Sequence, residues 1–355
     1  MSDAPEASGG PLRVGLVYDR FGDAEPPPGA PPDWDAEYEP EATIAALEDA
    51  LRRLGHTPVR VGNVPALLGA VCSGSRQRPR LTPPLALDAA VTIAESYGSR
   101  NREAHAPVLL ELAGVPCLGS DALALSVSLD KALTKTVVRA AGVRTPDWAV
   151  IPGAGEIPAL PPFPLFVKPR YEGTAKGIAA SSRCETPEAL RAEAGRQKRL
   201  YAQDLIAEWF VDGAEFTVGV VGTGAEAEAL PVLQRAVERT TGIGLHALER
   251  HEDPARPLAY SVPGVLSAEL EAQLQADALA AHRALECADF SRSDFRVDGA
   301  GRVWFIEINP LPTFAPDGTF AILAELVGEP YPDFLAGVLA GGLARVLGLA
   351  SGGAP

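Results

Sequence analysis

Within the stretch Ser291 to Asn309, SRSDFRVDGAGRVWFIEIN, two pairs stand out, Arg292 with Asp294 and Glu307 with Asn309, together one cation and three oxygen donors. Each pair is spaced by two, and residues two apart in a strand share a face. Two short runs, Asp289 to Val297 and Arg302 to Ile308, flank Asp298-Gly299-Ala300-Gly301 and read as a β-hairpin with polar and apolar residues alternating. Folding back sets both pairs on recurring faces of one sheet. Hard cations such as Mg²⁺ prefer a couple of carboxylates plus substrate phosphates, so Asp294, Glu307 and Asn309 point first to a nucleotide-dependent reaction. The competing reading makes Asp294 and Glu307 ordinary solvent-side strand residues.

A second group of residues bears on phosphate. Lys168 ends an apolar strand as Val167-Lys168-Pro169, where a lysine must meet water or an anion. The following turn, Tyr171-Glu172-Gly173-Thr174-Ala175-Lys176-Gly177, holds two glycines that permit close backbone approach and N–H donation to phosphate oxygens. A solvated strand end is the plainer alternative, and neither the dinucleotide fingerprint nor the Walker loop is present. Leu205-Ile206-Ala207-Glu208-Trp209-Phe210-Val211 joins an apolar strand to edge polarity suited to flanking an adenine, with a simple core strand as its rival.

The elements that must position these groups alternate between strand and helix. Residues 1–11 read as a disordered tail, Leu12 to Tyr18 as a buried first strand, Thr43 to Leu54 as a helix stopped by Gly55, and Thr57 to Val61 as a strand. Ala89 to Ala94 is another apolar strand, with Glu95 to Glu103 polar just beyond its carboxyl end, where ligand groups collect in open α/β sheets. This alternation predicts an α/β N-terminal domain to about residue 120. One helix is expected over Ser120 to Ala141, strands over Phe163 to Pro169 and Ile178 to Ser181, and a helix over Pro187 to Tyr201. Strands then follow over Leu205 to Phe210 and Glu215 to Val221, and helices over Ala268 to Leu285 and Tyr331 to Leu347. Arg235 to Pro257 is long and poorly periodic, the mark of a functional loop.

A formal net charge of −15 over 355 residues leaves no basic face for nucleic acid or an anionic membrane. Phosphate must therefore be met by a few placed cations. Cys72, Cys117, Cys184 and Cys287 form no CxxC pair, so reduced cysteines are expected and a zinc site is not. No apolar run of about 18 residues and no apolar N-terminal leader appear, so a soluble, cytoplasmic protein is expected.

Four ordered motifs resemble the ATP-grasp ligases, specifically the D-alanine-D-alanine ligases and their relatives. They are Leu129-Asp130-Lys131-Ala132-Leu133-Thr134-Lys135, Phe166 to Pro169 with Glu172-Gly173, Glu208 followed by Gly213 to Val218, and Arg292-Ser293-Asp294 with Ile306 to Pro310. The resemblance implies an α/β and α+β protein of ATP-grasp fold, with a Rossmann-like (pre-ATP-grasp) domain over 12–120. ATP would lie between two α+β subdomains, 121–202 with the small glycine loop and 203–355 with the large loop and metal site. It implies that Lys131 and Lys168 bind ATP phosphates with Gly173, Thr174, Lys176 and Gly177. Glu208, Trp209, Phe210 and Val211 would frame the adenine, and Glu215 would hold the ribose. Asp294, Glu307 and Asn309 would bind two Mg²⁺ ions, with Mn²⁺ as a substitute, and Arg292, Lys168 and Thr174 would serve catalysis. A homodimer is implied as well.

The departures from that family locate the substrate question. Thr174-Ala175 stands where two serines are usual, and Pro312-Thr313 and Asp317-Gly318 replace the usual glycine and serine; Thr313 would supply a backbone N–H to an oxyanion. Asp317 would favour an amine there, or simply cap a helix. Arg235, Arg239, His246, Arg250 and His251 are the cations available in the large loop. Glu95-x-x-Gly98-x-x-x-Arg102-Glu103-Ala104 resembles the family's substrate-side loop, which implies that Arg102 holds a substrate carboxylate and Glu37 or Glu95 an amine. The expected function is an ATP- and Mg²⁺-dependent carboxylate-amine ligase of small amino-acid-like substrates, working through an acylphosphate and specialised for a dipeptide, amide or natural product. D-alanine-D-alanine synthesis is the alternative, and a non-catalytic nucleotide-binding regulator the alternative of another class. A dikinase would need a phosphorylated histidine, for which His105, His246 and His251 lack the context.

Overall fold

Every residue of β1 (Arg13–Tyr18) after the first is buried, as in a strand covered on both faces. The computed structural model describes residues 10–75, 78–81, 86–153, 157–237, 241–244 and 266–348. The expected βαβ unit is completed by α1 (Glu41–Arg53) and β2 (Thr57–Gly62). The helix opens with Glu41 in its first turn, closes with Arg52 and Arg53 in its last, and stops before Gly55 at φ +78°. After β2 come α2 (Val64–Val71), capped by Asn63 on the Ala66 N–H, and the hairpin of β3 (Cys72–Ser75) and β4 (Arg78–Leu81). The sequence pattern missed all three, because α2 is a short helix apolar almost throughout and shows no 3.6-residue period. β5 (Ala89–Ile93), α3 (His105–Leu112) and β6 (Cys117–Leu118) follow, giving a parallel sheet of order β2-β1-β5-β6. Glu95 to Glu103 lie at the carboxyl end of β5, ending in a single 3₁₀ turn, Arg102–Ala104.

The helix expected over Ser120 to Ala141 is two helices, α4 (Ala122–Leu129) and α5 (Lys131–Ala140). Asp130 makes the break: its backbone is extended and its carboxylate accepts from the N–H groups of Ala132 and Leu133. Arg170 locks that carboxylate with two bonds of 2.7 Å. Next comes an antiparallel sheet of order β7-β10-β8-β9, from β7 (Trp148–Ile151), β8 (Leu165–Pro169), β9 (Arg183–Cys184) and β10 (Leu205–Trp209). The strand expected over Ile178 to Ser181 is absent. Ile178 closes a turn on the Ala175 carbonyl, the Ser182 hydroxyl accepts from the Ala179 N–H, and the chain turns 3₁₀ before the two-residue β9. α6 (Pro187–Tyr201) has the predicted limits, with Thr186 capping Ala189 and Pro187 opening the helix.

The third sheet contains β11 (Gly213–Val221), β12 (Glu228–Ala229), β13 (Leu233–Arg235), β14 (Phe290–Asp298) and β15 (Val303–Asn309). α7 (Ala268–Ala284) packs on it through Leu274, Ala278 and Ala281. β14 and β15 are the expected hairpin, and Arg292 pairs with Asn309 and Asp294 with Glu307, so the two residue pairs stand side by side. A bulge after Asp294 re-aims the strand beyond them. Most of the loop expected over Arg235 to Pro257 lies outside the described residues. α8 (Thr319–Val327) and α9 (Tyr331–Val346) close the chain, and Phe334, Leu335 and Leu339 of α9 share one core with β1, β5 and α1. Among the described residues, no helix is long and apolar enough to cross a membrane.

Candidate active site

A cleft of about 720 Å³, counted with its open mouth, runs between the central and C-terminal sheets. The central sheet contributes Phe166, Lys168, Glu208 and Trp209, the C-terminal sheet Glu215, Asp294, Arg296, Ile306 and Glu307. Phe210, Val211, Ala175, Ile178 and Ile243 complete an apolar end, where the Phe166 and Phe210 rings lie 6.0 Å apart. One end is thus a greasy slot and the other a cluster of charge, the division a nucleotide needs. Glu208, Trp209, Phe210, Val211 and Glu215 all line it, as do Lys168, Asp294 and Glu307.

At the charged end each ion has a partner. Lys168 Nζ lies 2.9 Å from Glu208 and 3.5 Å from Glu307, and Lys131 Nζ lies 4.0 Å from Glu307 while donating to the Glu172 carbonyl. Burial alone would push Glu307 up, but Lys168, Lys131 and Arg292 outweigh it and hold its carboxyl at about 2. Burial would lower Lys168, yet Glu208 and Glu307 raise it, so it stays charged. Lys135 has a place that its motif did not reveal: fully buried, it pairs with Glu208 at 2.7 Å and donates to Thr145. Two lysines therefore fix the orientation of Glu208 at the mouth of the slot. Arg296, also unassigned from sequence, pairs with Glu215 at 3.0 Å as its cross-strand neighbour, and that register was its only signal.

The carboxylates suit Mg²⁺. Asp294 and Glu307 face each other across the hairpin with 18% and 31% of their side chains exposed, and Glu307 is ionised throughout the physiological range. Among the described residues no three His, Cys, Asp or Glu side chains group as a self-sufficient metal site. A pair of carboxylates completed by phosphate oxygens is the arrangement Mg²⁺ takes in nucleotide enzymes. Asp294 accepts from Thr217 at 2.6 Å and from Arg292 at 3.1 Å, while the buried Nε of Arg292 has no partner among the described residues. Asn309 stands opposite Arg292, its Oδ1 taken by the Leu311 N–H at 2.8 Å.

On the substrate side and in the small loop, three of the expected ligands have partners within the protein. Arg102 does not present a free fork: it is 2% exposed, Nη2 bonds Glu37 at 2.7 Å and Nη1 bonds the Tyr171 carbonyl. Glu37 is no open amine site, because it also accepts from the Gly173 N–H at 2.7 Å and from Lys176 at 2.9 Å. Lys176 does not reach the cleft, since its ammonium is buried between Glu37 and Glu172. A lone buried charge is costly, and in this network each charge meets an opposite one, although the buried Nε of Arg102 has no hydrogen-bond partner among the described residues. The network also ties the small loop to the segment between β1 and α1, with Gly177 N–H and Tyr201 both on Asp33. That anchoring offsets the left-handed backbone of Thr174 and Ala175, at φ +50° and +59°. Thr313 donates from its hydroxyl to Glu39 at 2.9 Å, so it faces the segment between β1 and α1. Asp317 is exposed just before Gly318, the N-cap of α8, and makes no cap itself.

Glu95 and Glu103 sit behind this network, both buried. Burial and then neighbouring carboxylates push Glu95 well up; burial pushes Glu103 up to about 7 against the pull of Arg102. A carboxyl raised by folding contributes stability that is complete below its unfolded value and lost as pH climbs through the folded one. Glu103→Gln should therefore melt higher relative to wild type at about pH 8 than at about pH 5. Melting curves at the two pH values check it, and an equal offset at both would mean that Glu103 ionises freely in the fold.

Residues 137–340, more than half of the chain, match the family model described as the D-ala D-ala ligase C-terminus. A slot for a base and a cluster of lysines and carboxylates, held between two α+β sheets, define an ATP-grasp ligase. The chain belongs to the D-alanine-D-alanine ligase family, enzymes that use ATP and Mg²⁺ to form a C–N bond and release ADP. It is 35% identical over 235 residues to the D-alanine-D-alanine ligase of Cupriavidus taiwanensis, covering 65% of this chain and 69% of that one. With the uncharacterized protein y4sG of Sinorhizobium fredii it shares 29% identity over 335 residues, covering 91% and 92%. The fold matches the Bacillus anthracis D-alanine-D-alanine ligase complexed with ATP at a TM-score of 0.68 and 18% identity, covering 96% of this chain and 100% of that one. The VanG D-Ala:D-Ser ligase of Enterococcus faecalis matches at 0.67 and 17%, covering 94% and 99%.

Proposed function

We propose that this ligase joins small amino-acid-like molecules other than the D-alanine pair, yielding a specialised dipeptide or amide. The observation that carries the ligase chemistry is the register of β14 and β15, which puts Arg292, Asp294, Glu307 and Asn309 side by side with Lys168 3.5 Å from Glu307. In this reading Lys131 and Lys168 hold and neutralise the phosphates, and Gly173, Thr174 and Gly177 shape the loop over them. Arg292 balances charge on the reacting carboxyl group. Mg²⁺, held by Asp294, Glu307 and Asn309, would supply further neutralisation of the phosphate oxygens. The substrate carboxylate takes the terminal phosphoryl group, and an amine then displaces phosphate from the acylphosphate.

The substrate side supports specialisation, because Arg102, Glu37 and Lys176 are committed to one another and Thr174-Ala175 and Asp317-Gly318 depart from the family pattern. The same proposal includes a division near residues 120 and 202, a homodimer, and a cytoplasmic location where ATP is supplied. Incubation with ATP, Mg²⁺ and a panel of amino acids and amines should give substrate-dependent ADP release, with little from D-alanine alone. Abundant D-alanyl-D-alanine by mass spectrometry would return the chain to cell-wall synthesis. Silence across the panel and its natural-product precursors would argue for a nucleotide-binding regulator.

A further inference from the structure

Arg183 and Arg296 come from different sheets and converge on the same two features. Arg183, on β9 of the central sheet, donates from Nη1 to the Thr241 carbonyl at 2.8 Å, and its guanidinium lies 4.6 Å from the centroid of the Phe210 ring. Arg296, on β14 of the C-terminal sheet, donates from Nη2 to the Gly242 carbonyl at 2.5 Å and lies 5.2 Å from the same centroid. Residues 241–243 are thereby pinned beside Phe210 from both subdomains. Gly242 stands at φ +67°, and a Cβ there would come within 3.1–3.4 Å of Asp212, Phe210 and Arg183, so the turn is tight as well as held. Its product is the placement of Ile243, 2% exposed, which packs with Phe210 in one apolar group and lines the cleft.

We infer that Arg183 is a positioning residue for the nucleobase: it holds the turn that makes Ile243 a wall of the slot, and does so from the sheet opposite Arg296. Base affinity then depends on the central sheet being clamped to the loop base of the C-terminal one. The inference rests on the nucleotide reading of the cleft. Arg183 keeps about a fifth of its side chain in solvent and, among the described residues, pairs otherwise with Glu185 at the surface, so its replacement is compatible with folding. Loss of one hydrogen bond and one cation-π contact corresponds to about a five- to twentyfold weakening.

Arg183→Ala in the full chain should weaken AMP and ATP alike by that factor, leave kcat within about twofold and leave the amine KM unchanged. Arg183→Lys should recover most of the affinity, since an ammonium still donates and still sits over a ring. Ile243→Ala should repeat the pattern of Arg183→Ala by removing the wall itself. Calorimetry with AMP and initial rates, alongside melting curves, read these out. Unchanged AMP affinity in Arg183→Ala, or a joint fall of kcat and both KM values with the melting temperature, would overturn the assignment. If Lys168→Ala weakens ATP while Arg183→Ala weakens nothing, this inference alone fails; if neither touches nucleotide binding, the nucleotide reading falls with it.

Discussion

Glu307→Gln is expected to cut kcat by about a hundred- to a thousandfold while the protein still folds, the loss of several kcal/mol that removing a metal-ion contact entails. The amide keeps the shape of the carboxylate and loses its charge, and Mg²⁺ is held by charge on hard oxygens. Glu307 is suited to that role because Lys168, Lys131 and Arg292 keep it ionised despite its partial burial, at about 2. The variant also removes a partner from Lys168, but that ammonium retains Glu208 at 2.9 Å, so the site should not collapse. Two measurements separate the metal from the lysine. The Mg²⁺ concentration needed for half-maximal turnover should rise, and AMP, which lacks the terminal phosphates, should bind as before. Turnover within a few-fold of wild type at low Mg²⁺ would make Glu307 an internal counter-ion for the lysines and nothing more.

The parts of this site that were legible in the sequence are those whose residues lie close together along the chain. The hairpin announced itself through period-two alternation around Asp298-Gly299-Ala300-Gly301, which places Arg292, Asp294, Glu307 and Asn309 on recurring faces of one sheet, but the pairing of Asp294 with Glu307 depends on the bulge after Asp294, which leaves no sequence signal. The start of α6 was legible because Thr186-Pro187 is a start signal made of two adjacent residues. Long-range pairing left no such trace. Arg102 and Glu37 are 65 residues apart, and an arginine that reads as a substrate fork is the same residue when it locks a buried glutamate. The break at Asp130 was hidden for a related reason: an aspartate inside a helical pattern can face solvent or cap a new helix, and the Arg170 that holds this one lies 40 residues on. Lys176 looked like a phosphate ligand because glycines surround it, yet Glu37, 139 residues away, decides where it points.

Lys168→Ala should raise the dissociation constant for ATP by about 10- to 150-fold, the equivalent of 1.5–3 kcal/mol for a hydrogen bond to a charged group. The lysine is buried, stays protonated because Glu208 and Glu307 flank it, and emerges at the end of β8 into the cleft. Its removal leaves Glu208 with Lys135 at 2.7 Å and Glu307 with Lys131 at 4.0 Å, so neither carboxylate is stranded without a cation. Some stability is lost with the ion pairs, and a lower melting temperature by itself says nothing about phosphate. The distinction lies in which nucleotide suffers. A lysine that meets the β- and γ-phosphates should cost ATP dearly and AMP little, whereas one that merely orients Glu208 beside the base should cost both equally. Equal weakening of AMP and ATP would assign Lys168 to the adenine pocket, and unchanged affinity for both would leave it an ordinary buried strand end, with Lys131 as the remaining candidate for the phosphates.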